Sequence, residues 1–183
     1  MNTQAPAIAP TSARLEQIAA AARDLLEQEG PGGLTMRRLA GRLGMQAPSL
    51  YKHVADKDEL EVLLIAWALR DQGAATHGAV DGLPRRGSRR RALEALGRAY
   101  RAWALAHPHL YRLATQGPLP RERLPEGLEA WAAEPVVRVA GSEAKARATW
   151  AFAHGMTILE LDGRFPPAAD LDAAWNAGIA ALM

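Results

Sequence analysis

Cysteine is absent from the 183 residues, which excludes a disulfide scaffold, a thiolate zinc site, a cysteine nucleophile and a dithiol redox motif together. Such a chain suits a reducing compartment, and the cytoplasm is the expected location. β-Branched residues are also few, with 6 Val, 5 Ile and 7 Thr against 39 Ala. Alanine is the best helix former and β-branched residues fill strands, so a sheet-dominated fold is excluded and an all-α protein is expected. No apolar run approaches the ~18–20 residues of a membrane helix, so no membrane partner is expected. Residues 1–12 lack the charged and apolar regions of a signal peptide. A large excess of one charge sign is missing too. A net +2 does not mark a nucleic-acid binder, so any such footprint must be local.

What is present is helical periodicity punctuated by Gly and Pro. Residues 1–13, with Pro6 and Pro10, read as a disordered arm. Over 14–29, Leu15, Ile18, Ala19, Ala22, Leu25 and Leu26 form one apolar helical face. The run Gly30-Pro31-Gly32-Gly33 ends that helix. Thr35 is placed to cap a short helix over 36–43, and Gly44 to close it. A second short helix is expected over 47–54, with Pro48 in its first turn, where a missing N–H costs nothing. Asp56 caps a connecting helix over 57–75. Residues 76–88 read as a connector, and further helices follow over 89–106, 109–115, 126–139 (distorted near Pro135), 142–161 and from Asp170 to the end. The total is about nine helices, no strand and no internal repeat. They divide into an N-terminal three-helix domain over 14–70 and a helical domain over 76–183.

The informative segment is residues 34–55, LTMRRLAGRLGMQAPSLYKHVA, with Arg37, Arg38, Arg42 and Lys52 and no acid. Two short helices around Gly44 make a helix-turn-helix. In that motif the early residues of the second helix meet base edges in the major groove. Here those are Gln46, Ala47, Pro48, Ser49, Lys52 and His53. Gln pairs with adenine, Ser reads either base type, and Ala and Pro surfaces meet a thymine methyl. Thr35, Tyr51 and Lys57 stand around them as phosphate anchors. The alternative is a packed helix pair whose charged face is merely solvated.

With these residues in view, the stretch 14–64 resembles the DNA-binding domain of the TetR (tetracycline-repressor-like) transcriptional regulators. The resemblance rests on LTMRRLAGRLG, on the recognition helix Pro48-Ser49-Leu50-Tyr51-Lys52-His53-Val54, and on Asp56-Lys57-Asp58-Glu59-Leu60. It implies a homodimer on a palindromic DNA operator, usually repressing transcription. It also implies Arg37 at a base edge, Pro48 and Tyr51 at the recognition surface, His53 facing DNA and Lys57 on phosphate. Ala47 stands where some relatives carry a hydrogen-bonding side chain, so one base contact is expected to be absent.

The remainder resembles TetR-type regulators with a Trp/His-Gly effector domain, through Tyr100-Arg101-Ala102-Trp103-Ala104, His107-Pro108-His109-Leu110-Tyr111-Arg112 and Trp150 followed by His154-Gly155. Tyr100, Trp103, His107, Tyr111, Trp131 and His154 are candidate walls of a cavity for a small apolar or aromatic effector; aromatics at helical spacing equally form ordinary core. Ala144, Ala148, Ala151 and Gly155 make a small-residue stripe that lets another helix approach closely. With Ile158, and with Leu171, Trp175 and Ile179 of the last helix, they are expected to build a four-helix dimer interface; completion of a monomer core is the alternative. The arginines at 85, 86 and 89–91 read as a solvated connector, as supplementary phosphate contacts or as partners of Asp or Glu elsewhere.

Enzyme motifs are missing. His107 and His109 point to different sides of any helix, and no HExxH, GxSxG, GxGxxG or Walker loop occurs. The expectation is therefore a DNA-binding regulator without metal, cofactor or catalytic residue. The rivals are an activator or architectural protein without a ligand, and a small-molecule-binding protein or enzyme with a vestigial helix-turn-helix.

Overall fold

A computed structural model describes residues 5–6, 12–83 and 89–183. Most of the expected arm, and Arg85 and Arg86 of the arginine run, lie outside the described residues. Among the described residues there are nine α-helices, one short 3-10 turn and no strand. They fall into two compact units. The first holds the chain to Arg70 together with His107–Leu128; the second holds Asp71–Ala106 and Glu129–Met183.

In the first unit, α1 (Ala13–Gly33) starts at Ser12, whose side chain accepts the Leu15 N–H at 3.2 Å. The expected stop at Gly30 is a kink, with φ +70° and ψ −176°, followed by one more helical turn through Pro31. Only glycine adopts that backbone without strain, and Pro31 then opens the last turn, where its absent N–H is not missed. Thr35 caps α2 (Met36–Arg42) by accepting the Arg38 N–H. Gly44, at φ +63°, turns the chain so that the Met45 N–H reaches the Ala40 carbonyl at 2.8 Å. The second helix of the motif, α3, covers only Ala47–Leu50 and continues as turns through residue 53. The Asp56 side chain accepts the Glu59 N–H at 2.7 Å and opens α4 (Lys57–Asp81).

Ile18, Leu25 and Leu26 of α1, Leu39 of α2, Leu50 of α3 and Leu60 and Leu64 of α4 are almost fully buried. Each contributes about 1.5–3 kcal/mol of burial, and together they fix the outward faces of α2 and α3. Within the same unit α6 (Pro108–Thr115) packs on α1, burying Leu110 and Tyr111.

Helix α4 runs six residues past the expected end at 75. Its last turns are held by packing that local sequence does not reveal. Thr76 Oγ1 donates to the Gly73 carbonyl at 2.9 Å, His77 and Val80 are buried, and Asp81 pairs with Arg138 at 2.8 Å. The partner is α7 (Leu128–Ala140), which stays one helix through Pro135. Proline at position 135 leaves the Trp131 carbonyl, four residues earlier, without its helical donor. His77 replaces that donor: its Nε2–H donates to the Trp131 oxygen at 3.0 Å, and its ring stacks on the indole at 4.6 Å.

The rest of the second unit is α5 (Arg89–Ala106), α8 (Glu143–Leu161) and α9 (Leu171–Ala181). Ser142 and Asp170 cap α8 and α9 as expected. Glycine permits the close approach of α9 to its neighbours: a Cβ on Gly178 would overlap the Phe152 ring, and one on Gly97 would lie 3.0 Å from Ile179. Arg101 on α5 grips both carboxylate oxygens of Glu160 on α8 at 2.8 Å and also pairs with Asp172 on α9. These partners raise its pKa above the ordinary arginine value, with the Glu160 bond as the largest cause.

Candidate nucleic-acid interface and helical surfaces

The first candidate surface is built by α2, its turn and α3. Leu50 and Val54 point into the core, which leaves the intervening residues outward. Thr35, Arg37, Gln46, Pro48, Tyr51, Lys52, His53 and Lys57 are all exposed, and Ala47 and Ser49 are partly so. Tyr51, at 49% exposure, is a large aromatic left in solvent. Not every basic residue is available. Arg38 pairs with Glu29 of α1, and Arg42 donates to Gln28 at 2.8 Å. Lys57 lies 3.3 Å from Glu61, so a phosphate there would compete with an intrachain partner. Arg37 and Lys52 carry no ion pair among the described residues. A surface of this kind, cationic and amide-bearing, suits a polyanion.

The second candidate surface is the outer side of α8 and α9. Ala144, Ala148 and Ala151 are exposed, while Gly155 and Ile158 are half-buried. A Cβ at Gly155 would meet nothing within 4 Å. Trp150 and Leu159 stand out at 52% and 42% exposure. On α9 the residues sort differently from the sequence expectation. Trp175 and Ile179 are buried within the unit, Trp175 edge-on to Phe152 at 5.6 Å, and Leu171 is half-buried. The large side chains fill the space that Gly97 leaves on α5. The face left in solvent is the opposite one, Ala173, Ala177 and Ala180.

The aromatic candidates divide between the units. Tyr100, Trp103, Trp131 and His154 belong to the second, and His107 and Tyr111 to the first. Tyr100 and Tyr111 are buried; the other four are half-buried. His154 stacks on Trp150 at 5.7 Å, and burial lowers its pKa below the ordinary histidine value. Two polar groups escaped sequence reasoning. Thr157, fully buried on α8, and Gln72 on α4 each have a side-chain atom with no hydrogen-bond partner. A threonine set between Met156 and Ile158 was the available signal for the first. Among the described residues no group of three or more His, Asp or Glu could hold a metal ion, and no helix is long and apolar enough to cross a membrane.

Comparison with known proteins places this geometry. Residues 18–61 match the family described as bacterial regulatory proteins, tetR family, and residues 93–182 the tetracyclin repressor-like C-terminal domain. The second match does not distinguish a Trp/His-Gly subtype. The uncharacterized HTH-type transcriptional regulator Rv0681 of Mycobacterium tuberculosis is 34% identical over 167 residues, covering 84% of this chain and 73% of that one. Further mycobacterial regulators are matched over 48% of their own length. A Rhodococcus sp. RHA1 protein of unknown function shares the fold, with a TM-score of 0.79, 23% identity and 95% of each chain covered. A TetR variant of Acinetobacter baumannii AYE, solved in complex with minocycline, is 25% identical with a TM-score of 0.64, over 94% of each chain. A helix-turn-helix unit joined to a helical C-terminal unit is the class that fold and surface define. The chain belongs to the TetR family and is a DNA-binding transcriptional regulator.

Proposed function

We propose that the chain acts in the cytoplasm as a homodimeric repressor that reads a palindromic operator and is released by a small apolar or aromatic effector. The observation that carries the reading is the exposed face of α3 and its surroundings. Gln46, Pro48, Tyr51, Lys52 and His53 face solvent there, while Leu50 and Val54 anchor the helix from behind. Gln46, Ala47, Pro48, Ser49, Lys52 and His53 meet base edges, joined by Arg37 from α2. Thr35, Tyr51 and Lys57 hold phosphates.

Dimerisation falls to the outer face of α8, through Ala144, Ala148, Ala151, Gly155 and Ile158, flanked by the exposed Trp150 and Leu159. The small residues of α9 that face solvent, Ala173, Ala177 and Ala180, join that face in place of the buried Trp175 and Ile179. Effector binding falls to the aromatic residues of the second unit, Tyr100, Trp103, Trp131 and His154, supported by the minocycline complex of the Acinetobacter relative. Control follows from linkage. Two α3 helices must sit ~34–36 Å apart, or a multiple of that, to meet successive major grooves. An effector that fits only another spacing shifts the population away from DNA. A coupling of ~1–3 kcal/mol weakens operator binding roughly 5- to 150-fold.

Selection of bound duplexes from a random library at ~150 mM salt tests the reading, since non-specific phosphate binding is weak there. A palindrome with half-sites a helical turn or so apart is the expected product. A library that stays random after repeated rounds contradicts it.

A further inference from the structure

Helix α6 opens without a cap of its own. His107 stands at the capping position but makes no side-chain cap bond, and Pro108 at the first helical position has no N–H. The next two amides, His109 and Leu110, are the helix's remaining orphan donors, because the Tyr111 N–H already reaches the His107 carbonyl at 2.8 Å. Both orphans are satisfied by one carboxylate from α1. Glu27 Oε1 accepts the Leu110 N–H at 2.8 Å, and Oε2 accepts the His109 N–H at 3.2 Å. A carboxylate at a helix N-terminus also meets the positive end of the helix dipole. Three residues further on, α1 kinks at Gly30, and a Cβ there would lie 3.5 Å from the His109 ring. Glu27 and Gly30 thus form one joint that seats α6 on α1.

We infer that Glu27 is a positioning residue that couples the effector helices to the DNA reader through α1; the inference rests on the regulator reading above. Helix α6 follows α5 through His107 alone, a non-helical residue at φ −132° and ψ 59°. The compact units divide between Ala106 and His107. The chain passes from α5 to α6 through a single non-helical residue, and a displacement at the end of α5 enters α6 there. Glu27 passes it to α1, whose Gln28 and Glu29 hold Arg42 and Arg38 of the reader. Thermodynamic reciprocity makes the converse hold: DNA on the reader must change the free energy of the joint.

The test is amide hydrogen exchange over residues 107–115 of the full chain, free and saturated with a duplex taken from the random-library selection. Duplex binding is followed separately by fluorescence anisotropy. In the wild-type chain the duplex slows exchange at His109 and Leu110 several-fold. In Glu27→Ala both amides exchange about tenfold faster, the usual effect of losing a cap, and the duplex no longer changes them although it still binds. Glu27→Gln, which keeps one acceptor oxygen, falls between the two. A duplex-dependent slowing of equal size in wild type and Glu27→Ala overturns the coupling and leaves Glu27 a purely structural cap. So does a wild-type chain that binds the duplex with no change at these amides. Failure of the regulator reading appears in the other channel, as no duplex bound by the wild type, and removes the coupling with it.

Discussion

Helices α3 and α8 both turn a face to solvent, and the two faces have opposite chemistry. The four-residue α3 hides Leu50 and shows Gln46, Pro48, Tyr51 and Lys52. The nineteen-residue α8 hides Ala153 and Thr157 and shows Ala144, Ala148, Ala151, Trp150 and Leu159. A short helix held by one anchored leucine can present any side chain outward, so its surface reports its partner. A long helix with alanines and a tryptophan in solvent has apolar area still to cover. In the proposed function the first face meets a polyanion and the second another protein surface.

Charging the second face should have the largest effect. Ala148→Glu with Ala151→Glu should give monomers in sedimentation and lower operator affinity ~100-fold or more, because the second reader is no longer tethered. An unchanged dimer would move the interface elsewhere. Next in size, Arg101→Met should destabilise the chain by about 2 kcal/mol in chemical denaturation, since Glu160 then loses its bidentate partner. Loss of dimerisation without loss of stability would instead place Arg101 and α9 at an interface. On the first face, Gln46→Ala should cost about 1.5 kcal/mol at one base pair per half-site. Repeating the duplex selection would show that position relaxed and the others kept. Lys57→Ala should weaken binding on all sequences and reduce the salt slope by about one unit, and Glu61→Gln, by freeing Lys57, should strengthen binding slightly. Equal slopes would remove Lys57 from the phosphate contacts.

The smallest effect concerns pH. Burial holds the His154 imidazole below its ordinary pKa, so the unfolded chain takes that proton first as pH falls. The stability tied to the neutral ring is complete above the ordinary histidine value and is lost as pH drops from there toward the folded value. His154→Phe should flatten that part of the stability curve, read by thermal melts in parallel buffers.

Much of this was legible in the sequence because it is local. Ser142, Asp170, Thr35 and Asp56 cap the helices that follow them, and Gly30 and Gly44 take the left-handed backbone where the chain turns. The parts that were not legible depend on distant partners. The last turns of α4 needed α7, where Pro135 frees a carbonyl for His77. The outward face of α9 was misjudged because its largest residues, Trp175 and Ile179, are drawn inward by the glycine on α5, and only the alanines remain outside. The cap on α6 comes from Glu27, some eighty residues away, and no local pattern announces it.

In the proposed function the two faces act together, α8 pairing two chains so that two α3 helices read one operator. Native mass of the complex on a selected palindromic duplex tests it most directly. Two chains per duplex are expected for the wild type, and for the Ala148→Glu, Ala151→Glu chain no stable complex at the same concentration. One chain bound per duplex with full affinity, or a full-affinity complex from the doubly charged chain, would contradict it.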